Sequence, residues 1–268
     1  MSEQDDAPSV GEVGHTLEVR GLEVRYGSTV GLTGVSLDVP RGSSLAVIGP
    51  NGSGKSTLLR AIAGIAEPAV GSIRRPRGGV AFVLQSTDVD RSLPLTVRDA
   101  VAMGRFATRG MFAPLRAEDR RAVDRAMEQV QIADLARRQI HDLSGGQRQR
   151  AFVAQGLAQD APILLLDEPV SALDVASRQL ILDAIDAERE AGRIVIATTH
   201  DLGDARRCDQ VLLVDRAPIA VGPPSDVLCA EHLSAAFGGR FLEVGGKMVL
   251  DDPHHEHPHH PHPRSEER

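Results

Sequence analysis

Two hydrophobic textures alternate along this chain, and their order predicts its architecture. Short apolar runs at residues 17–20, 35–39 and 45–48, set apart by Gly and Pro, have the length and punctuation of strands. A glycine-rich turn follows the third run. Residues 56–65 then have helical character and close near Gly64 and Pro68. Strand, glycine loop and helix in that order predict the start of a parallel α/β fold. Through the middle third the period changes. Residues 117–137 carry Val123, Met127 and Val130 at helical spacing with Arg, Asp and Glu between them. Few strand-like runs occur from residue 97 to 158, so an all-helical subdomain of about residues 88–158 is expected as an insertion into the α/β core. Continuous apolar runs return at residues 163–166, 194–198 and 210–214, separated by helical stretches such as 177–190. Strands without polar alternation suit a sheet covered on both faces. Residues 240–250 read as a strand-like extension. Residues 1–14 and 251–268 lack apolar surface to bury and are expected to be disordered. No internal repeat interrupts this plan.

Composition then removes whole classes of function. Of 268 residues, 41% are hydrophobic and 25% charged, ordinary values for a soluble globular chain with one large domain or a domain carrying an inserted lobe. Aromatics make up 3%, with one Tyr and no Trp, which argues against gripping single strands by base stacking. The formal net charge of -7 lacks the basic footprint that a phosphate backbone demands, so no nucleic acid is expected as a partner. No apolar run approaches the ~18 residues needed to cross a bilayer. The acidic, polar N-terminus does not read as a signal peptide. Cys208 and Cys229 make no disulfide framework and suit a reducing cytosol. A membrane role is therefore expected to run through a partner.

Candidate chemistry is concentrated in two motifs. Gly49, Pro50, Asn51, Gly52, Ser53, Gly54, Lys55, Ser56 and Thr57 match G-x-x-x-x-G-K-[ST] directly after a predicted strand, which is the context this motif requires. The glycines let successive N–H groups turn inward onto phosphate oxygens, and the following helix adds the positive end of its dipole. Lys55 places a compact cation at the β- and γ-phosphates, and the Ser56 hydroxyl can ligate Mg²⁺. Further on, the apolar run 163–166 ends in Asp167 and Glu168. Carboxylates at the carboxyl tip of a buried strand lie where open α/β sheets place their ligands. Asp167 would hold Mg²⁺ through water, and Glu168 would act as general base on the attacking water.

Between these motifs lies Leu143-Ser144-Gly145-Gly146-Gln147, ahead of a helical run. This resembles the signature motif of ABC ATPases, with a hydroxyl and a bare N–H at a helix N-terminus as a second anion site. The resemblance covers residues 17–239, and the ATPase domain is expected over residues 15–239. It implies a P-loop NTPase (RecA-like) α/β core with an antiparallel β subdomain and the inserted all-helical subdomain. It also implies that Ser144, Gly145, Gly146 and Gln147 close over the γ-phosphate held by a partner copy, giving a head-to-tail homodimer around two ATP molecules. Tyr26 resembles the aromatic that stacks on adenine. Gln85 resembles the glutamine that contacts Mg²⁺ and water, and the segment ending in Asp174 resembles the loop that communicates across the dimer. His200 resembles the histidine that bonds the γ-phosphate. With every motif intact, ATP hydrolysis coupled to transmembrane transport is the expected activity, with ATP and Mg²⁺ as cofactors. Chromosome-maintenance ATPases of this fold need a long coiled-coil insertion, and ribosome-acting relatives carry two cassettes. Neither pattern is present, which leaves a soluble non-transport ATPase as the alternative of another class.

Cargo is only hinted at. Residues 88–99 with Met103, Gly104 and Arg105, and residues 220–224, are similar to zinc and manganese importer ATPases, although siderophore and cobalamin importer ATPases share much of the pattern. That likeness implies an integral-membrane permease, an extracytoplasmic substrate-binding protein, and a peripheral position on the cytoplasmic face of the membrane. His254, His255, His257, His259, His260 and His262 add a flexible set of imidazoles suited to weak, multivalent Zn²⁺ binding.

Overall fold

The computed structural model describes residues 15–85, 94–110, 113–238, 241–244 and 247–250. In chain order, the antiparallel strands β1 (Thr16–Tyr26) and β2 (Thr29–Pro40) lead into β3 (Ser44–Ile48), α1 (Lys55–Ala63), β4 (Val70–Arg74) and β5 (Val80–Val83). The helical stretch follows as α2 (Val97–Ala102), α3 (Phe106–Arg109), α4 (Ala117–Gln129) and α5 (Gly145–Gln159). Next come β6 (Ile163–Leu166), α6 (Val175–Glu190), β7 (Ile194–Thr198), α7 (Leu202–Ala205), β8 (Gln210–Asp215) and β9 (Ala217–Gly222). After these lie α8 (Pro224–Val227), α9 (Ala230–Phe237) and the hairpin β10 (Phe241–Val244) and β11 (Lys247–Leu250).

The central sheet has six strands in the order β5-β6-β7-β3-β8-β9, parallel except for β9. Its apolar strands are buried because both faces are covered. Along β3, Leu45 and Val47 enter a core shared with α1 and with a separate three-stranded sheet, β2-β1-β4. Ala46 and Ile48 enter another core with α7, α8 and α9. Along β6, Ile163 and Leu165 face the α1 side, while Leu164 and Leu166 meet α2, α4, α5 and α6. A period-2 backbone with apolar side chains at every position demands this double cover. The connection from β5 to its neighbour β6 carries the helices α2 to α5, so the expected inserted helical layer is in place on a P-loop α/β core with an antiparallel subdomain.

Several elements depart from the sequence pattern. β1 continues past residue 20 because Gly21 adopts φ 53° at a register shift, which lets the strand bend and resume pairing. β4 and β9 lie outside the predicted strands; β4 is polar and largely exposed, and β9, whose apolar run contains Pro218, is an antiparallel edge strand. The helix expected to span 117–137 stops at Gln129. Gln131 takes a left-handed φ of 52°, its N–H bonds the Glu128 carbonyl, and the Ile132 N–H bonds the Met127 carbonyl at 2.9 Å. That bond pattern is a Schellman stop, and Ile132 is buried in the same core as Met127. α5 packs directly on the sheet, since a Cβ on Gly156 would lie 2.5 Å from Val83 Cγ2.

Candidate functional site

The carboxyl ends of neighbouring parallel strands bring the expected residues to one edge of the sheet. β3 opens into the glycine loop, β6 into Asp167 and Glu168, β7 into Thr199 and His200, and the edge strand β5 leads to Gln85. The loop is shaped by close backbone approach. A Cβ on Gly49 would lie 1.9 Å from the Val214 carbonyl oxygen, and Gly54 combines φ 99° with a Cβ position 2.7 Å from the Gly31 carbonyl oxygen. Only glycine fits either position. Gly54 caps α1 with no side-chain oxygen, and the first turn holds no acidic residue, so no side chain of the helix itself competes for its N-terminal N–H groups. Ser56 and Thr57 lie half-buried in that turn, while Asn51 and Gly52 are exposed at the loop tip.

Lys55 is buried, and its Nζ donates to the carbonyl oxygens of Gly49 at 2.8 Å and Pro50 at 3.0 Å. Burial pushes the ammonium pKa down, and the nearby Glu168 and Asp167 carboxylates partly restore it. A cation so placed, curled over its own loop, suits an anion brought into the same cradle. The Ser53 hydroxyl is buried without a partner, a polar atom inside the loop that a phosphate oxygen would satisfy. These features fit a nucleotide phosphate with its Mg²⁺.

The acidic pair is held on both sides. Asp167 is buried, and its Oδ1 accepts the Thr198 hydroxyl at 2.8 Å. Glu168 is half-buried with a left-handed φ of 49°, a costly conformation for a residue with a Cβ and one that clusters at functional positions. Its Oε2 accepts Gln85 Nε2 at 2.8 Å and the Ser171 hydroxyl at 3.0 Å. Glu168 and Gln85 are thus joined directly, and Lys55 lies near enough to both acids to feel their charge. His200 is exposed immediately beyond β7, and Tyr26 ends β1 with nearly half its surface exposed, its ring edge close to Gly31, itself near Thr57.

The Ser144 segment sits apart, at the start of α5. Its hydroxyl accepts the Gln147 N–H while the Gln147 side chain accepts the Ser144 N–H, a reciprocal capping box. Ser144 and Gly145 are exposed. Gly146 lies against the start of α6, where a Cβ would be 2.7 Å from Ser177 Oγ and 3.0 Å from Asp174 Oδ2. Asp174 caps α6 by accepting the Ser177 N–H at 2.8 Å, which lowers its carboxyl pKa. The six tail histidines and residues 88–93 lie outside the described residues.

Two features are not legible in the sequence pattern. Thr198 is a hydroxyl at a strand position where the alternation calls for an apolar side chain, and that mismatch is its only signal. Arg178 of α6 bonds Asp201 at 2.9 Å and the buried Asp204 at 2.5 Å, tying the helix after Asp174 to the turn after His200. No local pattern announces a pair so distant in sequence.

A family model described as ABC transporter matches residues 32–171. The manganese transport system ATP-binding protein MntB of Bacillus subtilis is 36% identical over 248 residues, covering 90% of this chain and 99% of that protein. The chelated iron transport system membrane protein YfeB of Yersinia pestis is 35% identical over 239 residues, covering 85% of this chain and 78% of that one. Among solved structures, one described as a metal-chelate type ABC transporter in an inward-facing conformation aligns with a TM-score of 0.75 at 29% identity, over 88% of this chain and 95% of that chain.

Proposed function

The chain belongs to the ABC transporter family as an ATP-binding subunit, and from that premise we propose that it hydrolyses ATP to drive import of a divalent metal ion, manganese or zinc. The observation that carries the hydrolytic half is Glu168, which follows Asp167 at the tip of β6 and is oriented by the Gln85 amide and the Ser171 hydroxyl. Lys55 neutralises β- and γ-phosphate oxygens while Gly52 and Gly54 admit the backbone N–H groups of the loop. Ser56, Asp167 and Gln85 would hold Mg²⁺, which when bound supplies positive charge against the phosphate oxygens. Glu168 accepts a proton from water as that water attacks the γ-phosphorus, the bond from phosphorus to the β–γ bridging oxygen breaks to release ADP and phosphate, and His200 donates to the γ-phosphate. Tyr26 stacks on the adenine. Ser144, exposed in a single copy, and the half-buried Gly146 complete the site of a second copy in a head-to-tail dimer. This assembly acts on an integral-membrane permease, with a substrate-binding protein outside, and so places the chain peripherally at the cytoplasmic face. No helix among the described residues is long and apolar enough to cross a membrane.

Glu168→Gln tests the chemistry. We expect retained ATP binding, turnover reduced by roughly a hundredfold or more, and an ATP-dependent dimer in gel filtration. Turnover at the unsubstituted rate would refute Glu168 as the base. Manganese leads over zinc as cargo because several relatives bear that name. The second reading, a metal-chelate importer of the siderophore or cobalamin type, is favoured by the chelated iron relative and the metal-chelate type structure. Uptake by cells lacking the chain separates them: loss of Mn²⁺ or Zn²⁺ uptake supports the first, and loss of ferric-siderophore uptake alone supports the second.

A further inference from the structure

We propose that Thr198 is a positioning residue for ATP hydrolysis, whose hydroxyl sets the separation and orientation of Asp167 and Glu168. The inference rests on the reading of those two carboxylates given above. β6 and β7 are parallel, and Leu166 pairs with Ala197, so Asp167 is level with Thr198. Alternation then decides the faces. Ile163 and Leu165 point to the α1 side of the sheet, as do Ile194 and Ile196, and Asp167 and Thr198 continue those two rows. Both side chains therefore reach the face from which Lys55 and Ser56 rise at the start of α1.

At that position Thr198 is completely buried and uses its hydroxyl in both directions. Oγ1 donates to Asp167 Oδ1 at 2.8 Å and accepts the Glu168 backbone N–H at 2.8 Å. The donated proton occupies one carboxylate oxygen of Asp167 and leaves the other directed elsewhere. The accepted N–H belongs to a residue with a left-handed φ of 49°, a conformation that a surrounding structure must impose. One hydroxyl thus pins the first acid by its side chain and the second by its backbone. Valine has the same shape and would satisfy the packing of β7, but it can neither donate nor accept. A threonine here is costly to bury unless both of its bonds are made, and both are.

The test is steady-state ATP turnover by the full-length chain, with ATP and Mg²⁺ varied separately. For Thr198→Val we expect kcat to fall roughly ten- to a hundredfold, the scale of cost when a reacting group is misplaced. KM for ATP should change little, because Lys55 and the loop are untouched, whereas the Mg²⁺ concentration for half-maximal rate should rise. Thr198→Ser should stay within about threefold of the original kcat, since it keeps the hydroxyl. The pair Thr198→Ser and Thr198→Ala repeats the comparison without the γ-methyl, so it decides the matter even where the valine variant is poorly folded. Valine or alanine variants with unchanged kcat and Mg²⁺ requirement would overturn the proposal. So would a serine variant as slow as alanine, which would point to packing by the methyl. Glu168→Gln measured alongside keeps the two readings separate. If it turns over normally, the assignment of the base fails; if it is dead while Thr198→Val is normal, only the positioning role fails.

Discussion

Gly49 shows how little freedom the nucleotide loop has. Its φ lies outside the left-handed region, so conformation does not explain the glycine. Steric room does, because the missing Cβ would sit 1.9 Å from a backbone carbonyl of β8, and neither strand can retreat without opening the central sheet. Gly49→Ala should therefore lower stability by roughly 1–3 kcal/mol, as overpacking in a rigid core does, and weaken ATP binding as the loop shifts. Urea unfolding and a fluorescent-nucleotide titration measure the two effects, and a variant unchanged in both would contradict the geometry. The same economy appears at Lys55, where a buried ammonium is stabilised by loop carbonyls and by two acids that follow β6.

Among the helices of the inserted layer, one buried carboxylate ties α3 to α4. Asp119 is fully buried near the start of α4, accepts the Arg116 backbone N–H at 2.9 Å, and is paired with Arg105 and Arg109. The Arg109 guanidinium holds its carboxyl well below the usual carboxylate range, against the opposing effect of burial. A lowered folded-state pKa means that the ionised form supports folding above the ordinary carboxylate value of about 4. That support is lost as pH falls below this value toward the folded-state pKa. Amide exchange in α4 should therefore accelerate between about pH 4 and pH 3, relative to the helices α1 and α6. Asp119→Asn should be less stable at pH 7 and should show a smaller pH dependence over that window. Equal acid sensitivity in the two proteins would remove Asp119 from the account.

Taken as one molecule, the chain carries the proposed catalytic groups at the strand ends of the sheet and the Ser144 segment on the helical side, with Gly146 next to Asp174 and Ser177. A single copy therefore presents Ser144 outward, which is the physical basis for proposing a head-to-tail pair. The tail histidines, outside the described residues, are tested at the same scale. Full-length chain should bind more Zn²⁺ than a version ending at Leu250, with ATP turnover the same in both. Isothermal titration reads the first quantity, and equal Zn²⁺ capacity would discount the tail.

Local chemistry accounts for most of what is legible in the sequence. The glycine loop, the acids at a strand tip and the Ser144 box depend on residues close in sequence, and backbone geometry alone converts those spacings into a cradle, a tip and a cap. The short continuous apolar runs announce a doubly covered sheet for the same reason. Exposed and edge elements stay hidden: β4 has little apolar content and β9 contains Pro218, so pairing is what makes them strands. The early end of α4 depends on Ile132 finding a place in the core. Thr198 becomes visible only when register sets it level with Asp167, and Arg178 only when α6 and the turn into α7 are packed side by side. Contacts between residues on different elements, far apart along the chain, arise from packing, and packing has no local code.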